Sequence, residues 1–258
     1  MVSLCGLVRR GSLEFTEGLT YIMNFALKFQ VFWELFIEKG GWKRVLSVGL
    51  VNTLLIAVLG LLIGIVLGTL IAAVKVSPKY KRWIRIMDNV CSVYVGFFRG
   101  TPIVVQLLIA YYVLWPLFGI SVSSLNTAII VFGLNSAAYV SETMRGGLLS
   151  VDHGQMEAGR ALGLSYSTTM MKIVIPQAIK NILPTLGNEF IALIKDTSVV
   201  SFVAAVDLYK TFTEIGNVRY EYFMPYIAMA LMYMILVALI SLGVKLMERS
   251  LRKGDKNN

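Results

Sequence analysis

Between Val45 and Val74 the chain carries no charged side chain. A helix crosses bilayer hydrocarbon in roughly 20 residues, so this stretch is long enough to span with tilt. Gly60, Gly64 and Gly68 recur at every fourth position, which strips one helix face of side chains and predicts the close approach of another backbone. Four more apolar segments follow. Ile84 to Leu117 is interrupted by Arg99-Gly100-Thr101-Pro102, where Thr101 is expected to cap, and Pro102 to enter the first turn of, a helix that restarts after a bend. Past an outer turn at Ser121 to Asn126 come Leu125 to Leu148, Gln177 to Val206 with Pro184 and Gly187 inside it, and Pro225 to Met247. The pattern predicts an all-α membrane protein of about five transmembrane helices.

Ahead of the first span, Ile22, Phe25, Ala26, Phe29, Phe32, Trp33 and Phe36 fall at helical spacing, with Asn24, Lys28, Glu34 and Glu38 mostly on the other side. So short and charged a helix is expected to lie in the membrane interface, ending at Gly40-Gly41. Residues 1 to 20 are polar and carry no such pattern. A second departure from the apolar rhythm is Gly154 to Pro176, between the third and fourth spans. Gln155 to Leu162 is rich in good helix formers and Gly163 ends it. Ser165 can cap a second short helix that stops by Pro176. The expectation is a helix-turn-helix presented in water.

Composition fits this picture and removes others. The 258 residues are 57% hydrophobic, with a mean hydropathy of +0.71. A net charge of +9 would point a soluble protein toward nucleic acid. Here the excess sits beside the spans, at Lys75, Lys79, Lys81, Arg82 and Arg85 and again at Lys245, Arg249, Arg252, Lys253 and Lys256, where the inner leaflet explains it. Lys39, Lys43 and Arg44 weaken the asymmetry at the first span. Five crossings with the basic tail in the cytoplasm put the N-terminus outside and the 154 to 176 insert inside. Cys5 and Cys91 lack metal-ligand spacing, His153 reads as solvated, and no secretory signal is evident. No G-x-x-x-x-G-K-[S/T] run is present to cradle a nucleotide, so no catalytic residue, metal or cofactor is assigned, and any energy source must be another subunit.

Polar residues inside spans are the candidates for function. Asn135, Tyr139 and Glu142 sit at i, i+4 and i+7, stacked on one helix face. Glu189 and Asp196 are also seven apart, with Asn188 and Lys195 on the neighbouring stripe. An ionised group facing lipid costs roughly 2.5 to 3.5 kcal/mol, so Glu142, Glu189, Lys195 and Asp196 must turn to a polar passage or pair within the bundle. Groups of both signs suit the ammonium and carboxylate of a zwitterion. Two readings stand for Lys195 and Asp196: a substrate passage, or an ion pair that staples the fold. Glu142 has the same choice, with Arg145 three residues on. Arg99 must meet a headgroup or a carboxylate.

Several of these motifs carry a resemblance. Glu157-Ala158-Gly159, Gly163 four positions on, then nine residues and Ile173-Val174-Ile175-Pro176 resemble the EAA loop of bacterial ABC importer permeases, with Gly159 where Ala is usual and Ile175 where Leu is usual. Glycine in mid-helix costs about 0.5 to 1 kcal/mol relative to Ala, so docking would lean on a partner to stiffen this helix. Arg99-Gly100-Thr101-Pro102, the run Asn135 to Tyr139 with Glu142 and Arg145-Gly146-Gly147, and Lys195-Asp196-Thr197-Ser198 resemble the polar amino-acid branch, in the same order.

The resemblance implies a type I importer fold. The transmembrane domain would cover 41–250, after an outer or interfacial segment at 1–40 and before a cytoplasmic tail at 251–258. It implies a coupling surface of Gln155, Glu157, Ala158, Gly159, Ala161, Leu162 and Gly163, and a transport site with Asn135, Tyr139, Glu142, Glu189, Lys195, Asp196 and Thr197 as its candidates. The implied partners are cytosolic ABC ATPase subunits, a second permease chain (identical or paralogous), an extracytoplasmic amino-acid-binding protein, the amino-acid substrate and membrane lipid. Rival readings are an importer for another small solute, a proton-coupled carrier relaying protons through Glu142, Asp196 and Lys195, and a receptor that binds without transporting.

Overall fold

The computed structural model describes residues 24–253, all of its regular structure helical. Ile22, Cys5 and Lys256, which figure in the sequence reading, lie outside the described residues. Helix α1 (Phe25–Trp33) runs on through a wide turn at Glu34–Glu38, and Gly40, at φ 74°, turns the chain into α2 (Gly41–Val76). Then come α3 (Arg82–Gly100), α4 (Ile103–Leu117), α5 (Ser124–Leu149) and the short α6 (His153–Ala161). Helix α7 begins as Tyr166–Thr169, widens at Met170–Val174 and continues as Ile175–Asp196. A 3-10 stretch at Thr197–Val203 leads to α8 (Leu208–Asn217) and α9 (Phe223–Lys253).

Among the described residues, two helices are alone long and apolar enough to cross a bilayer, Gly41–Val76 and Phe223–Leu251. The pair α3 and α4 qualifies together, as one span broken by 106°. Helices α5 and α7, of which the straight parts run 26 and 22 residues, are long enough but carry polar side chains along their length.

The most extensive helix pair is α2 with α5. Gly60, Gly64 and Gly68 all face α5, as the four-residue repeat predicts. A Cβ on Gly64 would stand 2.5 Å from Ser136 Oγ, and one on Gly68 would stand 2.9 Å from both Ala137 O and Ser141 N. Helix α5 reciprocates with Gly133, whose missing side chain makes room for Ile63. Around this seam Ile56, Ala57, Phe132, Leu193, Ile194 and Val200 form the buried core.

Two local expectations change. The helix that begins at Ser165 does not stop by Pro176 but passes through it. Proline lacks the N–H that an α-helix would use, and its ring presses on the carbonyl four residues back. The wide turn just before it lets Ile175 N–H reach Met170 O, five residues back, which opens the helix where the ring must fit. Pro116 follows the same device, with Trp115 N–H donating to Ala110 O. At the α3–α4 break, Thr101 Oγ1 donates backward to Phe97 O, 2.8 Å, instead of capping α4, and Pro102 stands extended outside the helix.

Helix α1 buries Val31 and Leu35 against Phe212 and Leu208 of α8 and leaves Phe25, Phe29, Trp33 and Ile37 open at four-residue intervals. Ion pairs to distant parts of the same chain fix it there: Lys28 with Glu221 at 3.8 Å, Glu34 with Arg219 at 2.9 Å, and below it Arg44 with Glu214 at 2.7 Å. The Lys39 ammonium hydrogen-bonded to Glu34, with Arg219 beside it, holds the Glu34 carboxyl below its usual range.

The seam makes a directional prediction. Gly68→Val drives a side chain into backbone atoms that cannot rotate away and should lower stability by about 1 to 3 kcal/mol. Gly243→Val meets nothing within 4 Å and should be near neutral. Thermal unfolding of the detergent-purified chain separates the two.

Candidate functional site

Helix α6 is built to keep its shape outside the core. Asp152 Oδ1 accepts from Gly154 N–H at 2.6 Å, capping the start. At the other end Gly163 adopts φ 80°, Gly163 N–H donates to Arg160 O and Leu164 N–H to Gly159 O, both within 3.1 Å. This double closure satisfies carbonyls the helix end would leave open. Ser165 Oγ then accepts from Thr168 N–H, 3.2 Å, starting α7 as its sequence predicts.

Of the seven coupling candidates, Gln155, Glu157, Ala158, Ala161, Leu162 and Gly163 are exposed, Leu162 at 81%. Gly159 is buried: its Cα lies so near Thr169 that a Cβ would run into the threonine methyl. The glycine at the place usual for alanine is thus explained by α6 seating on α7, not by a partner. Met156 joins it, packed against the cluster of Val151, Val174 and Ala178. The helix has an inner face of Met156 and Gly159 and an outer face that, among the described residues, is touched at Gln155, whose Oε1 accepts from Gln177 Nε2 at 3.2 Å, and is otherwise exposed at Glu157, Ala158, Ala161 and Leu162.

A cavity of about 510 Å³ opens between α3, α4, α5 and α7. Arg99, Thr101, Asn135, Tyr139, Glu189 and Asp196 are its polar wall. The Arg99 guanidinium lies over the Tyr139 ring, 5.4 Å from its centroid, and Ser136 Oγ donates to Glu189 Oε1 at 3.4 Å. One guanidinium and two carboxylates face a common space, so the wall offers partners for both ends of a zwitterion.

The corner that holds Arg99 there depends on Gln106. Its Nε2 donates to Phe98 O (2.9 Å), Thr101 O (3.0 Å) and Thr101 Oγ1 (2.9 Å), meeting carbonyls left open where α3 ends. Gln106 Oε1 accepts from Asn135 Nδ2 at 3.0 Å, and the same amide also donates to Phe98 O at 3.2 Å. Asn135 thus belongs both to the cavity and to the clamp that shapes it. Gln106 was not singled out in the sequence. Its signal was there: it is the one amide in the apolar run Ile103 to Leu117.

The seven substrate candidates divide. Asn135, Tyr139, Glu189 and Asp196 come together on the cavity wall. Glu142 stands away from it, accepting from Lys75 Nζ at 2.8 Å and from Arg145 at 2.7 and 3.0 Å, so that α2 and α5 are tied by an ion cluster. Lys195 is exposed and, among the described residues, has no carboxylate within ion-pair distance. Thr197 is buried and donates to Ile194 O at 2.8 Å.

A polar cavity between the middle of α5 and the last turns of α7, with an exposed helix linking the end of α5 to the start of α7, is the construction of a membrane permease: a pathway subunit worked from outside the bilayer. A family model described as the binding-protein-dependent transport system inner membrane component matches residues 60–253, and the chain belongs to that family. It is 39% identical over 207 residues to the arginine transport system permease protein ArtQ of Bacillus subtilis, covering 80% of this chain and 92% of that protein. To the L-cystine transport system permease protein TcyB of the same organism it is 36% identical, covering 85% and 91%. A solved amino acid ABC transporter with histidines shares the fold at a TM-score of 0.76 and 37% identity, over 83% of this chain and 98% of that one. The chain is therefore a multi-pass permease subunit of a binding-protein-dependent ABC importer and not an enzyme. ATP hydrolysis belongs to a separate subunit, and an ATPase and a solute-binding protein are its partners.

The seating of α6 gives a test that does not depend on helix propensity. Thr169→Ser removes the methyl that a Cβ at 159 would strike and leaves the hydroxyl that donates to Ser165 O, 2.8 Å from that Cβ, as the remaining close contact. The serine should improve Gly159→Ala by about 1 kcal/mol more than it changes the parent, as read by a double-mutant cycle on thermal stability.

Proposed function

We propose that the chain forms half of the translocation pathway of an ATP-driven importer of polar amino acids, the other half coming from a second permease chain. The chain crosses the membrane five times, with α1 lying in the outer interface, the N-terminus outside, and α6 and the C-terminus in the cytoplasm. Residues 1–40, 41–250 and 251–258 are then the outer segment, transmembrane domain and cytoplasmic tail. The exposed face of α6, with Gln155, Glu157, Ala158, Ala161 and Leu162, enters a cleft of the ATPase.

One observation carries this reading: the cavity and α6 share the same two helices. Helix α6 hangs between the end of α5 and the start of α7, and Asn135, Tyr139, Glu189, Ala192 and Asp196 of those helices line the cavity. When ATP draws the ATPase subunits together, a push on α6 is delivered to both walls of the cavity, directly along α5 and, along α7, through the wide turn at Met170–Val174 and past Pro176 and Pro184. Arg99 meets the cargo carboxylate, and Glu189 and Asp196 meet its ammonium and any further donor. The amino-acid cargo is also supported by relatives named for arginine, glutamine and cystine transport.

The test is uptake of labelled amino acids into vesicles holding the complete complex with its ATPase and binding protein. The double variant Glu189→Gln with Asp196→Asn should lower uptake at least tenfold, about 1.4 kcal/mol or more of lost binding, while basal ATP hydrolysis persists. Glu157→Lys should leave the chain in the membrane and uncouple hydrolysis from uptake. Uptake that survives ATP depletion and collapses with an uncoupler would instead establish the proton-coupled carrier.

A further inference from the structure

A second cavity, of about 350 Å³, lies between the last turns of α2, the end of α5 and the early turns of α7, and shares no lining residue with the polar one. Its origin is in the sequence. The glycine seam stops at Gly68, and beyond it α2 offers only the methyls of Ala72 and Ala73 to the space, with Met144 and Leu148 of α5 and Ile175 and Ile179 of α7 around them. One hydroxyl, Thr69 Oγ1, lies in this wall, and it already donates to Ile65 O at 2.6 Å. Thr69, Ala73 and Ile179 are exposed, so the cavity is a slot open on the outside of the bundle, beside the exposed Leu70 and Met171.

The lining restricts what can fill the slot. An ordered water needs two to four polar partners, and this wall has no free one to give. Two turns of helix, about 10 Å across and 11 Å long, would occupy more than twice the volume, so a helix of a second permease chain does not enter. A lipid acyl chain is slim and apolar, and it reaches the slot from the side that lies open. Charge at the end of the slot then selects among lipids. Lys172 stands on α7 one turn before Ile175, and Lys81, Arg82 and Arg85 follow the end of α2. All four are exposed, and among the described residues none has a carboxylate within ion-pair distance.

We infer that the slot binds one acyl chain of an anionic phospholipid, with Lys172 meeting its phosphate. The inference goes beyond the importer reading and takes from it only that the end of the bundle bearing α6 meets the cytoplasmic leaflet. Basic clusters beside clefts between helices on that side attract anionic headgroups, and a lysine ammonium meets phosphate as a point charge. The place of the slot gives the lipid an effect. Its chain lies against Ile175, whose N–H reaches Met170 O across the wide turn of α7. A bound lipid therefore props the turn through which α7 leaves α6.

The experiment is native mass spectrometry of the complete complex with its ATPase, extracted from vesicles of phosphatidylglycerol and phosphatidylcholine in equal amounts. Each copy of this chain should retain one phosphatidylglycerol. Lys172→Gln should lower the preference for phosphatidylglycerol about fivefold, the effect of one lysine at an anionic surface. Ala73→Phe, which fills the slot from its exposed edge, should lose the bound lipid, whereas Leu239→Phe on the exposed apolar face of α9 should behave as the parent. Equal retention of the two lipids by the parent would overturn the inference, as would a lipid count that Ala73→Phe leaves unchanged. So would a disulfide between two permease chains formed through Ala73→Cys in a chain whose Cys5 and Cys91 are replaced by Ser, because that puts protein at the opening. Retention is read without ATP or cargo. A failure of ATP-coupled uptake therefore counts against the importer reading alone, and a failure of lipid retention against the slot alone.

Discussion

Everything in this molecule hangs on how closely two backbones approach. In a bilayer, lipid tails are as apolar as leucine, so helices gain nothing by hiding leucine from them. Association comes instead from dense contact and hydrogen bonding. The α2–α5 seam supplies the contact by removing side chains on both sides, with Gly60, Gly64 and Gly68 on one helix and Gly133 on the other. Ser141 Oγ donates to Ala138 O within α5, so the hydroxyl at the seam does not face it unpaired. At the end of the seam, Lys75 and Glu142 close it with a half-buried ion pair. The two helices are joined along their length and act as one strut.

A rigid strut has consequences for the other helices. Polar side chains on α5 are sorted by angle around it. Ser136 turns to α2 beside Gly64, Asn135 turns to the α3–α4 corner, and Tyr139 looks into the cavity. The corner is the most demanding of these neighbours. A chain that bends by 106° opens the end of one helix and the start of another, leaving backbone groups there that need partners. Gln106 answers this with its two amide N–H groups shared among three acceptors, Asn135 bonds Phe98 O and Gln106 Oε1, and Tyr94 OH adds a 2.6 Å bond to Leu134 O. The corner is thus held by α5, and the cavity wall bearing Arg99 moves with the strut.

Much of this was legible in the sequence, for identifiable reasons. The four-residue glycine repeat stated the seam because helical geometry alone puts those positions on one face. The end of α6 and the start of α7 followed from Gly163 and Ser165, whose backbone and side-chain chemistry act over a few residues, whereas α6 begins at His153 under an Asp152 cap, two residues before the expected Gln155. Asn135, Tyr139, Glu189 and Asp196 reach one cavity because spacing on a helix fixes the side from which a group projects. What spacing does not fix is the neighbour. Glu142 shares a face with Tyr139 by arithmetic, yet Lys75 lies across the seam from it, and a cation on another helix leaves no trace in the local pattern. The role of Gly159 was hidden likewise, since it is set by Thr169 after the chain has turned back. Pro176 misled for a different reason: the rule that proline ends helices holds for α geometry, and a wide turn just ahead of it escapes the rule.

The same wide turn bears on how force could travel. Helix α7 begins beside α6 in the exposed part of the chain and ends beside the cavity, and Pro176 and Pro184 lie between. Proline interrupts the hydrogen-bond ladder, which would ordinarily make such a helix bend. Here the bend is restrained on both sides: Ile182 fills the space left by Gly147 of α5, and Gly187 receives Val244 of α9. With its flanks locked in this way, α7 cannot flex toward either neighbour, and the direction left open is its polar face. The face that carries Asn181, Thr185 and Asn188 is the one that neither neighbour fills, so the open side of α7 between α6 and the cavity is its polar side and not the core behind it.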